Sequence, residues 1–261
     1  MKLLFINPHP DDTEFTSAST CKQAVDLGWD VFQLLMTTDE YGTSRNDFKG
    51  HRIKKIRKHE MEEAAKIYGL NLDGSSKVKL IWFGEIDGHL PFNRDVYSRL
   101  KKIILDINPN IVIGPDSFFS LDLHPDHKHT GWLIYIIIKS IEPKKRPVLL
   151  LYHSSNVNFY IPIKDSSIHG KTLEKHKSQF SPFSNEVLTP MRKIFYNIRR
   201  RKTGNIIAEG FRRVYFKQGE NQIKKLKHKI VYYFVYNLLG GFGEKRYIPT
   251  PKELGLIIEK K

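Results

Sequence analysis

Apolar residues arrive along the chain in short runs that alternate with longer stretches of helical spacing. KLLFIN, from Lys2 to Asn7, is a continuous apolar run of strand length, and a helical stretch follows from about Glu14 to Leu27, stopping at Gly28. DVFQLLMTT then predicts a second strand, and RIKKIRKHEMEEAAKIYGL a helix that ends at Gly69. VKLIWF, NIVIGP and PVLLLYHS predict the third, fourth and fifth strands, separated by the helical segments RDVYSRLKKIILDI and HTGWLIYIIIKSI. Strands spaced by helix-length segments imply right-handed βαβ units. The expected fold is therefore α/β: Rossmann-like, three-layered, with a mainly parallel sheet and helices on both faces.

In such folds ligands bind where strands end and helices begin. Two charged loops leave the same predicted edge. NPHPDDTE (Asn7–Glu14) closes the first strand, and PDSFFSLDLHPDHKHT follows the fourth. Two prolines in the first loop suit neither helix nor sheet continuation. Adjacent carboxylates at Asp11 and Asp12 repel each other unless a positive group sits between them. His9 and Asp12 are three apart, and so are His124 and His127, with Asp126 between the latter pair. Imidazole and carboxylate are donors that suit zinc, and three protein ligands with one open position make a catalytic site. Taken singly, HPDD reads equally well as a helix N-cap and HPDH as a polar turn. Their joint placement on one sheet edge favours metal ligation.

Charge and composition add a second feature. The net charge of +15 is concentrated: residues 189–246 hold 15 Lys and Arg against 3 Asp and Glu, whereas residues 1–188 are nearly balanced. The expected organisation is a catalytic core over 1–188 and a basic, aromatic-rich extension over 189–261 packed on it. That extension implies an anionic partner, with peripheral contact to an anionic membrane one reading and a solvated basic face the other. No window approaches the ~18 apolar residues of a membrane span. A single cysteine, Cys21, excludes an intramolecular disulfide and points to a reducing, cytoplasmic setting, at the inner membrane face if the extension binds lipid. Cys21 itself reads as a small core residue.

These motifs resemble the PIG-L/LmbE-like zinc-dependent N-deacetylases, which act on N-acetylglucosamine-containing substrates. Beyond HPDD and DLHPDH, the resemblance covers TTDEYG at Thr37–Gly42 and the R-x-x-E…A…G pattern at Arg57, Glu60, Ala64 and Gly69. It continues through KTLEKHKSQF, with Lys171, His176, Ser178 and Gln179, and GNIIAEGF near residue 208. It implies His9, Asp12 and His127 as ligands of one zinc ion (Fe2+ fits the same set) and Asp11 as general base. His124 becomes the group that stabilises the oxyanion and protonates the amine, and Asp126 its orienting partner. Arg57, Asp122 and His176 are candidate substrate contacts, although Arg57 and Glu60 also sit at ion-pair spacing on a helix and His176 also reads as structural. Pro8 and Ser17-Ala18-Ser19 depart from the family pattern and should alter packing near the acetyl pocket.

The residue types suit amide hydrolysis, which needs an activated nucleophile, charge stabilisation on oxygen and a proton for nitrogen. The implied substrate is an acetylated amino sugar joined to another group. Two alternatives remain: a metal-dependent hydrolase of another amide or a sugar phosphoester, and a basic nucleic-acid-binding module on a degenerate hydrolase core. His153, ending the fifth strand, reads as a hydrogen-bonded structural histidine, with a pocket-facing role the alternative. His51, His59, His89, His129 and His228 read as surface residues.

Overall fold

The computed structural model describes residues 1–43, 46–120, 122, 124–179, 206–222, 229–230 and 233. Seven strands form one sheet: β1 (Lys2–Asn7), β2 (Asp30–Thr37), β3 (Val78–Glu85), β4 (Ile111–Pro115), β5 (Val148–Tyr152), β6 (Phe159–Pro162) and β7 (Ala208–Val214). Their order is β3-β2-β1-β4-β5-β7-β6. The first five strands in that order are mutually parallel, and β7 runs antiparallel to both β5 and β6. The predicted α/β class and all five predicted strands are present.

Alternation along β1 explains the layering. Leu4 and Ile6 face one side with Leu34, Met36, Val112 and Leu149, under α4 (Arg94–Ile107) and α5 (Pro125–Ser140). Leu3 and Phe5 face the other with Val31, Ile113 and Leu150, under α2 (Ala18–Asp26), α3 (His51–Tyr68) and α6 (Ile168–Leu173). All four β1 side chains are fully buried, as a central parallel strand covered on both faces requires. Each such side chain contributes roughly 1.5–3 kcal/mol of transfer free energy.

Two features differ from expectation. The single helix over 14–27 is two helices, α1 (Asp12–Thr16) and α2, broken at Ser17. The break frees the first amides of α2, and the buried carboxylate of Glu209 on β7 accepts from Ser19 N at 2.8 Å and Thr20 N at 2.9 Å. A carboxylate there meets the positive end of the helix dipole. β7 also carries the sheet past residue 188, so the core does not end at that boundary. The rest of the 189–261 segment, apart from residues 206–222, 229–230 and 233, lies outside the described residues, and with it most of the basic surface expected to meet a membrane. Among the described residues no helix is long and apolar enough to cross a membrane.

Strand order reverses at β1, whose neighbours are β2 and β4. That reversal opens a crevice at the carboxyl ends of β1 and β4. Both predicted loops leave from there.

Candidate metal centre and active site

The first loop is shaped by its prolines and its acids. Pro8 cannot donate to the ladder, and its carbonyl accepts instead from Thr37 N at 3.0 Å and Thr37 Oγ1 at 2.9 Å. The chain then turns through Asp11, whose φ of 109° lies in the left-handed half of the map. His9 N donates to Asp12 Oδ2 at 2.9 Å, which fixes the first residue of α1 under the histidine.

The second loop is held by a buried ion pair. Arg212 of β7 reaches Asp116 with Nε at 2.7 Å and Nη2 at 3.0 Å, and Asp116 Oδ1 also accepts from Phe118 N at 2.8 Å. α5 then starts at Pro125, a favoured first helical residue, behind His124. Gly131 lets α5 press against the loop, since a Cβ there would collide with Ser117 Oγ and Pro115 O.

These loops bring His9, Asp12 and His127 together, with one ligand atom of each within 4.8 Å of the others. His9 Nδ1 lies 3.3 Å from His127 Nε2, and Asp12 Oδ1 lies 3.5 Å from that same nitrogen. Ligands bound tetrahedrally to zinc at about 2.0–2.1 Å stand roughly 3.3 Å apart. The donor types and their spacing fit a zinc-like ion. Each imidazole is also backed by carboxylate, as metal-binding histidines usually are. His9 Nε2 lies 3.0 Å from Asp87 Oδ1 and 3.3 Å from Asp126 Oδ2, while His127 Nδ1 lies 2.9 Å from Asp122 Oδ2. Burial opposes a positive charge on His9, but Asp126 and Asp87 outweigh it and hold its pKa well above the usual histidine range. At His127 burial is likewise outweighed, here by Asp12 and Asp122. The pocket attracts a cation.

Asp11 stands beside this cluster on an independent support. Arg57, fully buried, donates to Asp11 Oδ2 at 2.8 Å, to Asp39, to the Pro10 carbonyl, to Glu60 Oε2 at 3.3 Å and to His176 Nδ1 at 3.1 Å. Burial pushes the Asp11 carboxyl up to about 7, against the pull of Arg57. His176 is fully buried, and burial together with Arg57 holds it well below the usual histidine range. Arg57 and His176 are thus buried against Asp11, with these contacts made to protein groups. The Asp122 carboxylate lies against His127 and accepts from His124 N at 2.9 Å, with its side chain 25% exposed.

His124 packs edge-on to His9, with ring centroids 4.6 Å apart. Its Nδ1 accepts from Asp126 N at 3.3 Å, so the proton of the neutral ring resides on Nε2. Burial, then the charge of His9, lowers its pKa. Asp126 thus orients His124 through its main chain. Its carboxylate accepts from Gly88 N at 2.7 Å and Leu90 N at 3.1 Å and faces His9 instead. Asp87 was not singled out from sequence, although its place after the third strand, on the same sheet edge, was a usable signal. Asp39 lay inside a recognised motif with no role attached.

The PIG-L family model, described as GlcNAc-PI de-N-acetylase, matches residues 4–138. The chain belongs to the PIG-L family. It is similar to the diacetylchitobiose deacetylase of Thermococcus kodakarensis, at 28% identity over 226 residues, covering 81% of this chain and 82% of that protein. The solved structure of N,N'-diacetylchitobiose deacetylase from Pyrococcus horikoshii superposes with a TM-score of 0.73 at 28% identity, over 82% of this chain and 83% of that one. A probable N-acetyl-alpha-D-glucosaminyl L-malate deacetylase 2 of Bacillus cereus is 27% identical over 153 residues, covering 56% of this chain and 65% of that protein. This PIG-L protein is accordingly a hydrolase of carbon–nitrogen amide bonds.

Proposed function

We propose that this protein is a zinc-dependent N-deacetylase that hydrolyses the acetamide of an N-acetylglucosamine-containing conjugate. The observation that carries the reading is the convergence of His9 and Asp12 on His127 Nε2, at 3.3 Å and 3.5 Å, with Asp11 beside them on its own arginine support. The names of the relatives support the substrate class.

Zinc held by His9, Asp12 and His127 would supply a Lewis acid for the acyl oxygen and lower the pKa of water toward roughly 7. Asp11 takes the proton of the attacking water. A carboxyl pushed up to about 7 is matched to that task near neutral pH, since it can also give the proton on to the departing amine. His124 meets the developing oxyanion with its Nε2 hydrogen. The Asp126 amide on Nδ1 favours a neutral ring, and on this reading Asp11 protonates the amine, a step that sequence had given to His124. Asp87 and Asp126 hold the His9 ring with Nδ1 toward the pocket.

Asp11→Asn should keep its zinc and lose about 10²–10⁴-fold in acetate release from N-acetylglucosaminides. Metal analysis alongside the assay decides it: zinc lost from this variant would reverse the roles of Asp11 and Asp12. Release of phosphate from sugar phosphates without release of acetate would replace the reading with a phosphoesterase.

A further inference from the structure

His153 follows β5 at the same sheet edge and has a φ of 55°, a left-handed conformation in which few residues other than glycine are at ease. Strained backbone of this kind persists where its surroundings enforce it, and here they do. The ring stacks nearly parallel on that of His127, at 5.9 Å and 10°, and meets Tyr152 and Phe15 edge-on at 5.1 Å and 6.0 Å. Its side chain is 30% exposed. Nδ1 turns toward Asp122 Oδ2, 3.7 Å away, and against burial this contact helps His127 hold the Asp122 carboxyl well below the usual range, while Nε2 makes no hydrogen bond among the described residues. The ring is clamped by packing and by Asp122 on Nδ1, and its Nε2 is left over.

The geometry points to His153 as a substrate-contacting residue that hydrogen-bonds a hydroxyl of the amino sugar, an assignment that rests on the deacetylase reading above. The two flanks of the ligand pair are occupied differently: His124 lies against His9, and His153 lies against His127. With His124 serving the acyl oxygen, the opposite flank is left for the sugar ring. With Nδ1 turned to Asp122, Nε2 is left to meet a hydroxyl, which can donate or accept as the ring's tautomer requires. An anion is disfavoured there because the Asp122 carboxylate stands so near.

Two variants test the assignment. His153→Phe keeps a ring for stacking and removes the nitrogens; His153→Asn tolerates the left-handed backbone and removes the ring. Both should retain zinc and show a KM raised about tenfold with kcat within threefold. The Asn variant should melt no lower than the parent. An unchanged KM in both, or zinc lost from both, overturns the assignment, the second outcome making His153 a prop for His127. Calorimetric titration of zinc-loaded parent and variants with N-acetylglucosamine separates this from the deacetylase reading. Weaker binding to the variants upholds the contact even if no acetate is released by any of them, and equal binding refutes it.

Discussion

Arg57 is surrounded by three acids, Asp11, Asp39 and Glu60, with no exposure of its own. Removing one partner of such a group leaves uncompensated buried charge, at a cost of about 3–5 kcal/mol. Arg57→Met should lose that much in urea unfolding, well beyond what an exposed helical ion pair contributes. His176, pressed against Arg57, sets a pH dependence. Its folded pKa lies well below the ordinary 6.5, so below pH 6.5 the unfolded chain takes up a proton that the fold refuses. Stability from this residue therefore falls as pH drops from 6.5 toward the folded pKa, with a limiting slope of about 1.4 kcal/mol per pH unit. His176→Gln should flatten the stability-against-pH curve in that window and leave it unchanged above pH 7.5. An unaltered slope would place the acid sensitivity in other groups.

At the scale of elements, α5 carries His124, Asp126 and His127 on its first turn, so its seating decides whether the two loops converge. The closest approach is at Gly131, beneath Ser117 and Pro115. Gly131→Ala would favour helix by propensity alone, yet overpacking against main chain should reverse the sign, costing about 1–3 kcal/mol. The displaced helix should also bind zinc more weakly, which equilibrium dialysis would measure. A stabilised Gly131→Ala variant with full metal affinity would show that the helix is not tightly seated. The same dependence on packing explains the split first helix. Its pattern reads as continuous from Glu14 to Leu27, but the cap for its second half comes from Glu209, 190 positions from Ser19.

For the whole molecule, the switch point in the sheet places His9 and Asp12 on one side of the crevice and His127 on the other, so an ion bound by all three would tie the β1 loop to the start of α5. A ligand that binds only the folded state stabilises it by mass action. Free zinc at one hundred times its Kd should add about 2.7 kcal/mol and raise the Tm of chelator-treated protein by roughly 5–10 °C; no shift would argue against a site shared by both loops.

The layered α/β plan, the five parallel strands and the two histidine–aspartate motifs were legible in sequence because each is written locally, in apolar runs and in residues three apart. His9 with Asp12, and His124 with His127, needed no knowledge of the rest of the chain. The partners of these groups did not have that character. Asp87 beside His9, His176 beside Arg57 and His153 beside His127 join residues far apart in the chain, and no periodicity marks such pairs. Sequence alone determined which donors exist and which strands end beside them, since hydrophobic alternation and helix spacing follow from local geometry. Only tertiary structure decided how those donors are arranged: it buried Arg57 and His176 against Asp11, turned the Asp126 carboxylate to His9, and stacked His153 on His127. Distance, burial and charge act through space, and folding is what sets all three.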